Sequence, residues 1–199
     1  MIKHVSGNKF AVIVLHEIYG LNSFIVDVCQ QYHAEGYDVF CPNLLNTEKA
    51  FSYLDEGEAY RLFFDTVGFD AFKKVNLLAT DLKITYSKVF LIGFSVGATI
   101  AWRCSESAIY DGVICCYGSR IRDYVTVQPK CPALLVFARY DSFDVEAIRE
   151  QLQNRENIII EILEASHGFI DAFSKSYNRS KGKKFDQLRK SFLAGCSKE

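Results

Sequence analysis

The chain has 199 residues, enough for one well-packed domain and too few for two comfortable ones. Hydrophobic residues make up 49%, charged residues 24%, and the formal net charge is −1, an ordinary globular composition with no basic surplus for nucleic acid or an anionic membrane. Residues 1–7 lack the apolar stretch and small-residue cleavage site of a signal peptide, and no apolar run is long enough to cross a bilayer.

Seven cysteines make an odd count with no C-x-x-C spacing, and Cys41, Cys104, Cys115 and Cys116 lie inside apolar segments. They read as free thiols used as small core residues, which points to a reducing cytoplasmic setting. Four histidines without ligand spacing leave no metal site to expect.

In chain order, residues 10–16 form a continuous apolar, β-branched run that predicts a strand buried on both faces. A loop follows, with Asn22 or Ser23 placed to cap a helix over 24–34 whose Phe24, Ile25, Val28 and Tyr32 recur at helical spacing. Gly36 ends that helix, and Pro42 stops a second strand over 37–42. Residues 44–55 have no clear period and read as loop or short helix. Residues 58–82 read as helical, with a stripe of Tyr60, Phe63, Phe64 and Val67 and a break at Gly68. Further strands are expected at 112–117, closed by Gly118, at 133–138 after Pro132, and at 157–163. Asp144 is placed to cap a helix reaching about Gln153. The polar stretch 174–184 reads as a solvated loop before a closing amphipathic helix over 185–194. Strands alternating with helices imply right-handed crossovers and a doubly wound, mostly parallel sheet in a single α/β domain, with chemistry at the carboxyl ends of the strands.

The most informative stretch is 88–102, where a strand-type run passes through Gly93-Phe94-Ser95-Val96-Gly97 into a helix-compatible segment. This is the context of a G-x-S-x-G nucleophile elbow. The plain alternative is an ordinary βα turn with Ser95 as a helix cap. A serine hydroxyl needs a base, and His167 is the sole histidine after Ser95; it falls just past the last strand. His16 also ends a strand and is the runner-up, but it precedes the elbow. The acid should follow strand 133–138, which offers Asp141 and Asp144. Asp144 suits the helix cap, so Asp141 is the choice to orient His167. The oxyanion hole should use the backbone N–H of Val96 and, from the loop after the first core strand, that of Ile18.

The segments His16-Glu17-Ile18-Tyr19-Gly20-Leu21-Asn22, residues 36–42, Gly93-Phe94-Ser95-Val96-Gly97, Tyr117-Gly118, Asp141 and His167-Gly168-Phe169 together resemble the dienelactone hydrolase family, in order and over nearly the whole chain. The resemblance implies a minimal α/β-hydrolase fold without a cap domain, a Ser95–Asp141–His167 triad, and a place for Glu17 close to the nucleophile. Two departures stand out. The dienelactone-cleaving members use cysteine where this chain has Ser95, so two roles are open to Glu17: touching the Ser95 hydroxyl, or only ordering its loop. Those members also clamp a substrate carboxylate with two arginines, where this chain has Asp55-Glu56-Gly57-Glu58 and Asp171. Acidic groups repel an anion, so dienelactone is not the expected substrate. Arg61 and Arg139 are nearby candidates to replace them, with a solvated surface charge the favoured reading of each.

Tyr19, Phe94, Tyr117, Phe143 and Phe169 fall in loops expected around Ser95, where aromatic walls would favour a neutral, partly apolar group; loop packing is the alternative for each. The expected activity is therefore a cofactor-independent serine hydrolase acting on small carboxylic esters, lactones and thioesters included, as a monomer or homodimer with no nucleic-acid or membrane partner. The other readings are a small-molecule binding or regulatory module on a hydrolase fold, or an acyltransferase.

Overall fold

A computed structural model of the chain describes residues 1–48 and 50–198. It contains seven strands, β1 (Ile2–His4), β2 (Phe10–Leu15), β3 (Asp38–Cys41), β4 (Lys88–Phe94), β5 (Gly112–Cys116), β6 (Ala133–Tyr140) and β7 (Ile158–Ser166). Six α-helices accompany them: α1 (Ser23–Ala34), α2 (Glu56–Thr66), α3 (Phe72–Lys83), α4 (Val96–Cys104), α5 (Val145–Leu152) and α6 (Arg179–Ser197). The strands form one sheet in the order β1-β3-β2-β4-β5-β6-β7, parallel except for β1, which pairs antiparallel with β3. This is the α/β-hydrolase sheet, doubly wound.

The continuous apolar runs are explained by the period of two along each strand. Ala11, Ile13, Leu15, Val89, Leu91, Val113, Cys115, Leu135 and Phe137 point to one face and pack with α2, α3, α4 and α5. Val12, Val14, Phe90, Ile92, Ile114, Cys116, Leu134 and Val136 point to the other and pack with α1 and α6. Both faces are covered, so the central strands are apolar on each side. All seven cysteines are free, and six are buried in these layers.

Local signals set several boundaries. The Asn22 side chain accepts the Ile25 N–H and caps α1, while Asp144 accepts the Ala147 N–H and caps α5. Gly36 follows α1 at φ 89°, a conformation open to glycine. The helical segment breaks at Gly68, as expected, into α2 and α3 joined by a 3₁₀ turn. Its buried face is set by Ala59 and Phe63 rather than by the whole anticipated stripe; Tyr60 is 46% exposed.

One expectation needs correction, and two segments gain detail. Residues 1–7 hold an edge strand, β1, too short to show a period. Residues 44–55 contain a 3₁₀ turn over Tyr53–Asp55, and Lys49 of that segment lies outside the described residues. The stretch 174–184 is helical from Arg179: Asn178 caps α6 by accepting the Lys181 N–H, and the lysines occupy its solvent side. The same helix buries Phe185, Arg189, Phe192 and Leu193.

Arg189 is 2% exposed. It forks onto both Glu35 carboxylate oxygens at 2.7 Å, bonds Asp186, and lies over the Tyr32 ring at 4.7 Å. This ties α6 to the end of α1. Arg189→Ala leaves Glu35 and Asp186 without their buried partner and empties the space over Tyr32, so urea unfolding should show a loss of about 3 kcal/mol.

Candidate active site

The turn between β4 and α4 is built so that its serine cannot relax. Ser95 sits at φ 53°, ψ −113°, a region non-glycine residues rarely adopt. A Cβ on Gly93 would lie 2.1 Å from the Gly97 carbonyl oxygen, and one on Gly97 would lie 2.5 Å from the Leu15 carbonyl oxygen. The glycines are thus required by close backbone approach, and they press the turn against the end of β2. Ser95 itself stands at the carboxyl end of β4, before the free N–H groups of the first turn of α4.

Asp141 follows β6 and His167 follows β7, so both arrive at the same rim of the sheet. His167 Nδ1–H donates to Asp141 Oδ2 at 2.7 Å, which leaves Nε2 to accept the Ser95 hydroxyl at 3.0 Å. The other Asp141 oxygen accepts the Ser142 N–H at 2.7 Å and the Ser142 hydroxyl at 3.2 Å. Burial alone would raise the Asp141 carboxyl, but His167 and the Ser142 donors hold it below the ordinary aspartate value. Burial alone would likewise lower the His167 imidazole. The hydrogen bond and charge of Asp141, with the charges of Glu17 and Glu56, reverse this and hold it above the ordinary histidine value.

His16 has a different occupation. Its Nδ1–H donates to the Glu17 carbonyl at 2.6 Å, and its Nε2 accepts the Leu44 N–H at 2.9 Å. Burial lowers its pKa to about 4, so it is a neutral strut between two loops, with no ring nitrogen left for a proton transfer.

Ser95, Asp141 and His167 open on a cavity of about 800 Å³, to which Ile18 and Val96 also contribute. Neither the Ile18 nor the Val96 N–H donates in the turn, loop and cap hydrogen bonds of the described residues. The arrangement can generate a serine alkoxide equivalent beside two free amides, which suits attack on a carbonyl. Among the described residues, no group of three or more His, Cys, Asp or Glu side chains could hold a metal ion, and no helix is long and apolar enough to cross a membrane.

The model of the dienelactone hydrolase family matches residues 2–196. The chain belongs to the dienelactone hydrolase family. Uncharacterized protein YczH of Bacillus subtilis (strain 168) is 38% identical over 183 residues, spanning 86% of each chain. Carboxymethylenebutenolidase of Pseudomonas putida is 26% identical over 200 residues, spanning 92% of this chain and 84% of that one. The fold recurs in a dienelactone hydrolase-like promiscuous phosphotriesterase, P91, from metagenomic libraries, with a TM-score of 0.73 at 15% identity, covering 96% of this chain and 88% of that one. It recurs also in the esterase Pf2001 of Pyrococcus furiosus, with a TM-score of 0.62 at 19% identity, covering 94% of this chain and 83% of that one.

Within this dienelactone hydrolase family chain, the anticipated aromatic walls are mostly elsewhere. Tyr19 lines the cavity. Phe94 points to the opposite face of the sheet and packs edge-on against Phe24 at 5.0 Å, because the alternation along β4 sends it away from the rim. Phe169 is buried against Tyr117, and Phe143 stands edge-on to Phe137 at 6.1 Å under the Arg122 guanidinium. Tyr117, at φ 41°, is fully buried with its ring 4.8 Å from the His167 ring, so it backs the imidazole without meeting the cavity. The aromatic walls come instead from Tyr53, Tyr60, Phe64, Tyr140 and Phe173.

Neither Arg61 nor Arg139 takes the place of the missing clamp. Arg139 is committed to Glu146 and Glu164, and Arg61 is outside the cavity lining. Arg120 and Arg122 reach the cavity instead; Arg120 is paired with Asp123, and Arg122 donates to the Ser119 carbonyl at 2.7 Å. Sequence reading missed Tyr53, which donates to Asp171, accepts from Asn22 Nδ2 at 3.2 Å and stands edge-on to Tyr19 at 4.8 Å. With Phe51 N–H on the Tyr19 carbonyl at 2.9 Å, these contacts dock the segment after β3 along the cavity. Only a three-dimensional contact joins Tyr53 to Asp171, and no local period announces it.

Proposed function

We propose that this protein is a serine hydrolase that cleaves small carboxylic esters, lactones and thioesters among the substrates its chemistry admits, through an acyl-serine intermediate. The observation that carries the reading is the hydrogen-bonded run from Asp141 through His167 to Ser95 Oγ at the edge of an open cavity. In the mechanism, His167 Nε2 takes the Ser95 proton as Oγ attacks the carbonyl carbon. The carbonyl electron pair moves to oxygen, which the Ile18 and Val96 amides stabilise. Collapse expels the alcohol or thiol with the proton from His167. Water, deprotonated by the same nitrogen, then releases the acid and restores the serine. Asp141 keeps the proton on Nδ1 and stabilises the transient imidazolium. Dienelactone is disfavoured, because buried Asp171 lines the cavity where a carboxylate would have to settle.

The decisive experiment is labelling with a fluorophosphonate at neutral pH followed by peptide mass spectrometry. An adduct on Ser95 is the expected result; a folded protein that stays unlabelled there sinks the proposal. The pH profile is a second check. Neutral His167 is the active form, so kcat/KM should rise with pH through a midpoint above the ordinary histidine value of about 6.5. In Asp141→Asn the group that raises the imidazole is gone and burial dominates, so the midpoint should move down as the rate falls.

A further inference from the structure

The wall of the cavity beside His167 is acidic, and one of its buried carboxyls has no cationic partner. Glu17 is 4% exposed and lines the cavity; the one donor that faces its carboxylate is the neutral Tyr117 hydroxyl, and among the described residues no ion pair reaches it. The Tyr117 hydroxyl is buried and has no other partner, so it offers Glu17 a neutral donor and no charge. Asp171, 1% exposed, lines the same cavity; its oxygens accept the Phe173 N–H at 2.8 Å and the Tyr53 hydroxyl, neither of which neutralises its charge. Glu56 stands at the rim with no ion pair among the described residues.

These groups act on one another and on the base. The charges felt by the Tyr19 phenol come from Glu56, Glu17 and Asp171, and those felt by His167 come from Asp141, Glu17 and Glu56. The cavity's arginines are engaged with Asp123 and the Ser119 carbonyl; Lys175, the other cation of the lining, is exposed to solvent and makes no ion pair with Glu17, Asp171 or Glu56 among the described residues. A buried carboxylate without a cationic partner costs free energy that a cationic ligand can recover. Burial, chiefly, raises the Glu17 pKa to about 7, so near neutrality the carboxyl is ready to ionise when a cation arrives.

We propose that Glu17, reinforced by Asp171 and Glu56, is an ammonium-binding subsite, and that the preferred esters carry a protonated amine close to the scissile carbonyl. This rests on the ester-hydrolase reading above and deepens it, since it specifies the charge of the substrate rather than the reaction. Glu17 acts here by binding substrate, which selects the ester whatever the rate of the chemical step.

The test compares ethyl 4-aminobutanoate, ethyl pentanoate and monoethyl glutarate, which place a cation, a methyl group and a carboxylate at equivalent distance from the carbonyl. Initial rates are read by chromatography of the released acid, in wild type, Ser95→Ala, Glu17→Gln and Asp171→Asn. In wild type, kcat/KM should favour the amine over the neutral ester by about tenfold and disfavour the carboxylate by a similar factor. The ratio of amine to neutral ester should fall toward one in Glu17→Gln and partly in Asp171→Asn. Because it is a ratio within each variant, a general loss of rate cancels. Wild type that hydrolyses the neutral ester in a Ser95-dependent way without preferring the amine overturns the subsite alone. An amine preference that survives Glu17→Gln also overturns the assignment. Wild type inert toward all three esters, with Ser95 unlabelled by fluorophosphonate, overturns the hydrolase reading and the subsite with it.

Discussion

Ser95→Ala should lower kcat/KM for 4-nitrophenyl acetate by about 10⁴-fold or more while leaving urea stability within about 1 kcal/mol of wild type. The loss is large because the hydroxyl is the atom that would become covalently attached, and no neighbouring nucleophile can replace it: the cysteines of β5 are buried in the sheet layers. Stability changes little because alanine keeps the Cβ and, among the described residues, the one hydrogen bond of the hydroxyl is that to His167 Nε2. Residual turnover should come from the Ile18 and Val96 amides and from binding. Groups acting as a unit are not additive, so Ser95→Ala combined with His167→Ala should be hardly worse than either alone. A single variant retaining activity within tenfold of wild type would remove Ser95 from the reaction.

Gly93→Ala should be among the most damaging single methyl additions in the chain. The new Cβ would meet the Gly97 carbonyl oxygen at 2.1 Å, the Gly97 carbonyl carbon at 2.4 Å and the Ala98 nitrogen at 2.7 Å, all of them backbone. No side chain can swing aside, so β4 and α4 must separate, at a cost of about 3 kcal/mol or more. Fluorophosphonate labelling of Ser95 should fall with it, since the elbow that presents the hydroxyl would be displaced. Gly195→Ala is the control. It lies in α6 with nothing within 4 Å of the added Cβ, so it should stabilise by about 0.5–1 kcal/mol. Urea midpoints of the two variants moving in the same direction would contradict the steric account.

Both expectations use features that are visible along the chain, and this marks what kind of information is local. The order of elements, the parallel sheet and the elbow could be read because each leaves a periodic or short-range signature. Runs such as 10–15 and 88–94 are apolar throughout because helices cover both faces. The glycine spacing around Ser95 reflects clashes within a few residues of the turn, and the caps at Asn22 and Asp144 are bonds to an N–H three residues on. The start of α6 was missed for the same reason in reverse: a lysine-rich first turn carries no apolar stripe, and its cap at Asn178 is one polar residue in a polar stretch.

Local patterning was enough for the architecture, the family resemblance and the short set of residues at the strand ends. It also separated Asp141 from Asp144, because capping is a local demand that Asp144 meets. Tertiary structure alone decided what surrounds those residues. It turned Phe94 to the far face, hid Tyr117 behind His167, made His16 a neutral strut, and brought Tyr53 from another segment onto Asp171. It also left Glu17 buried at the cavity wall with only the neutral Tyr117 hydroxyl beside it. The physical reason is range. Periodicity, capping and backbone crowding act between near neighbours in sequence, whereas burial and electrostatics sum over whatever the fold places nearby.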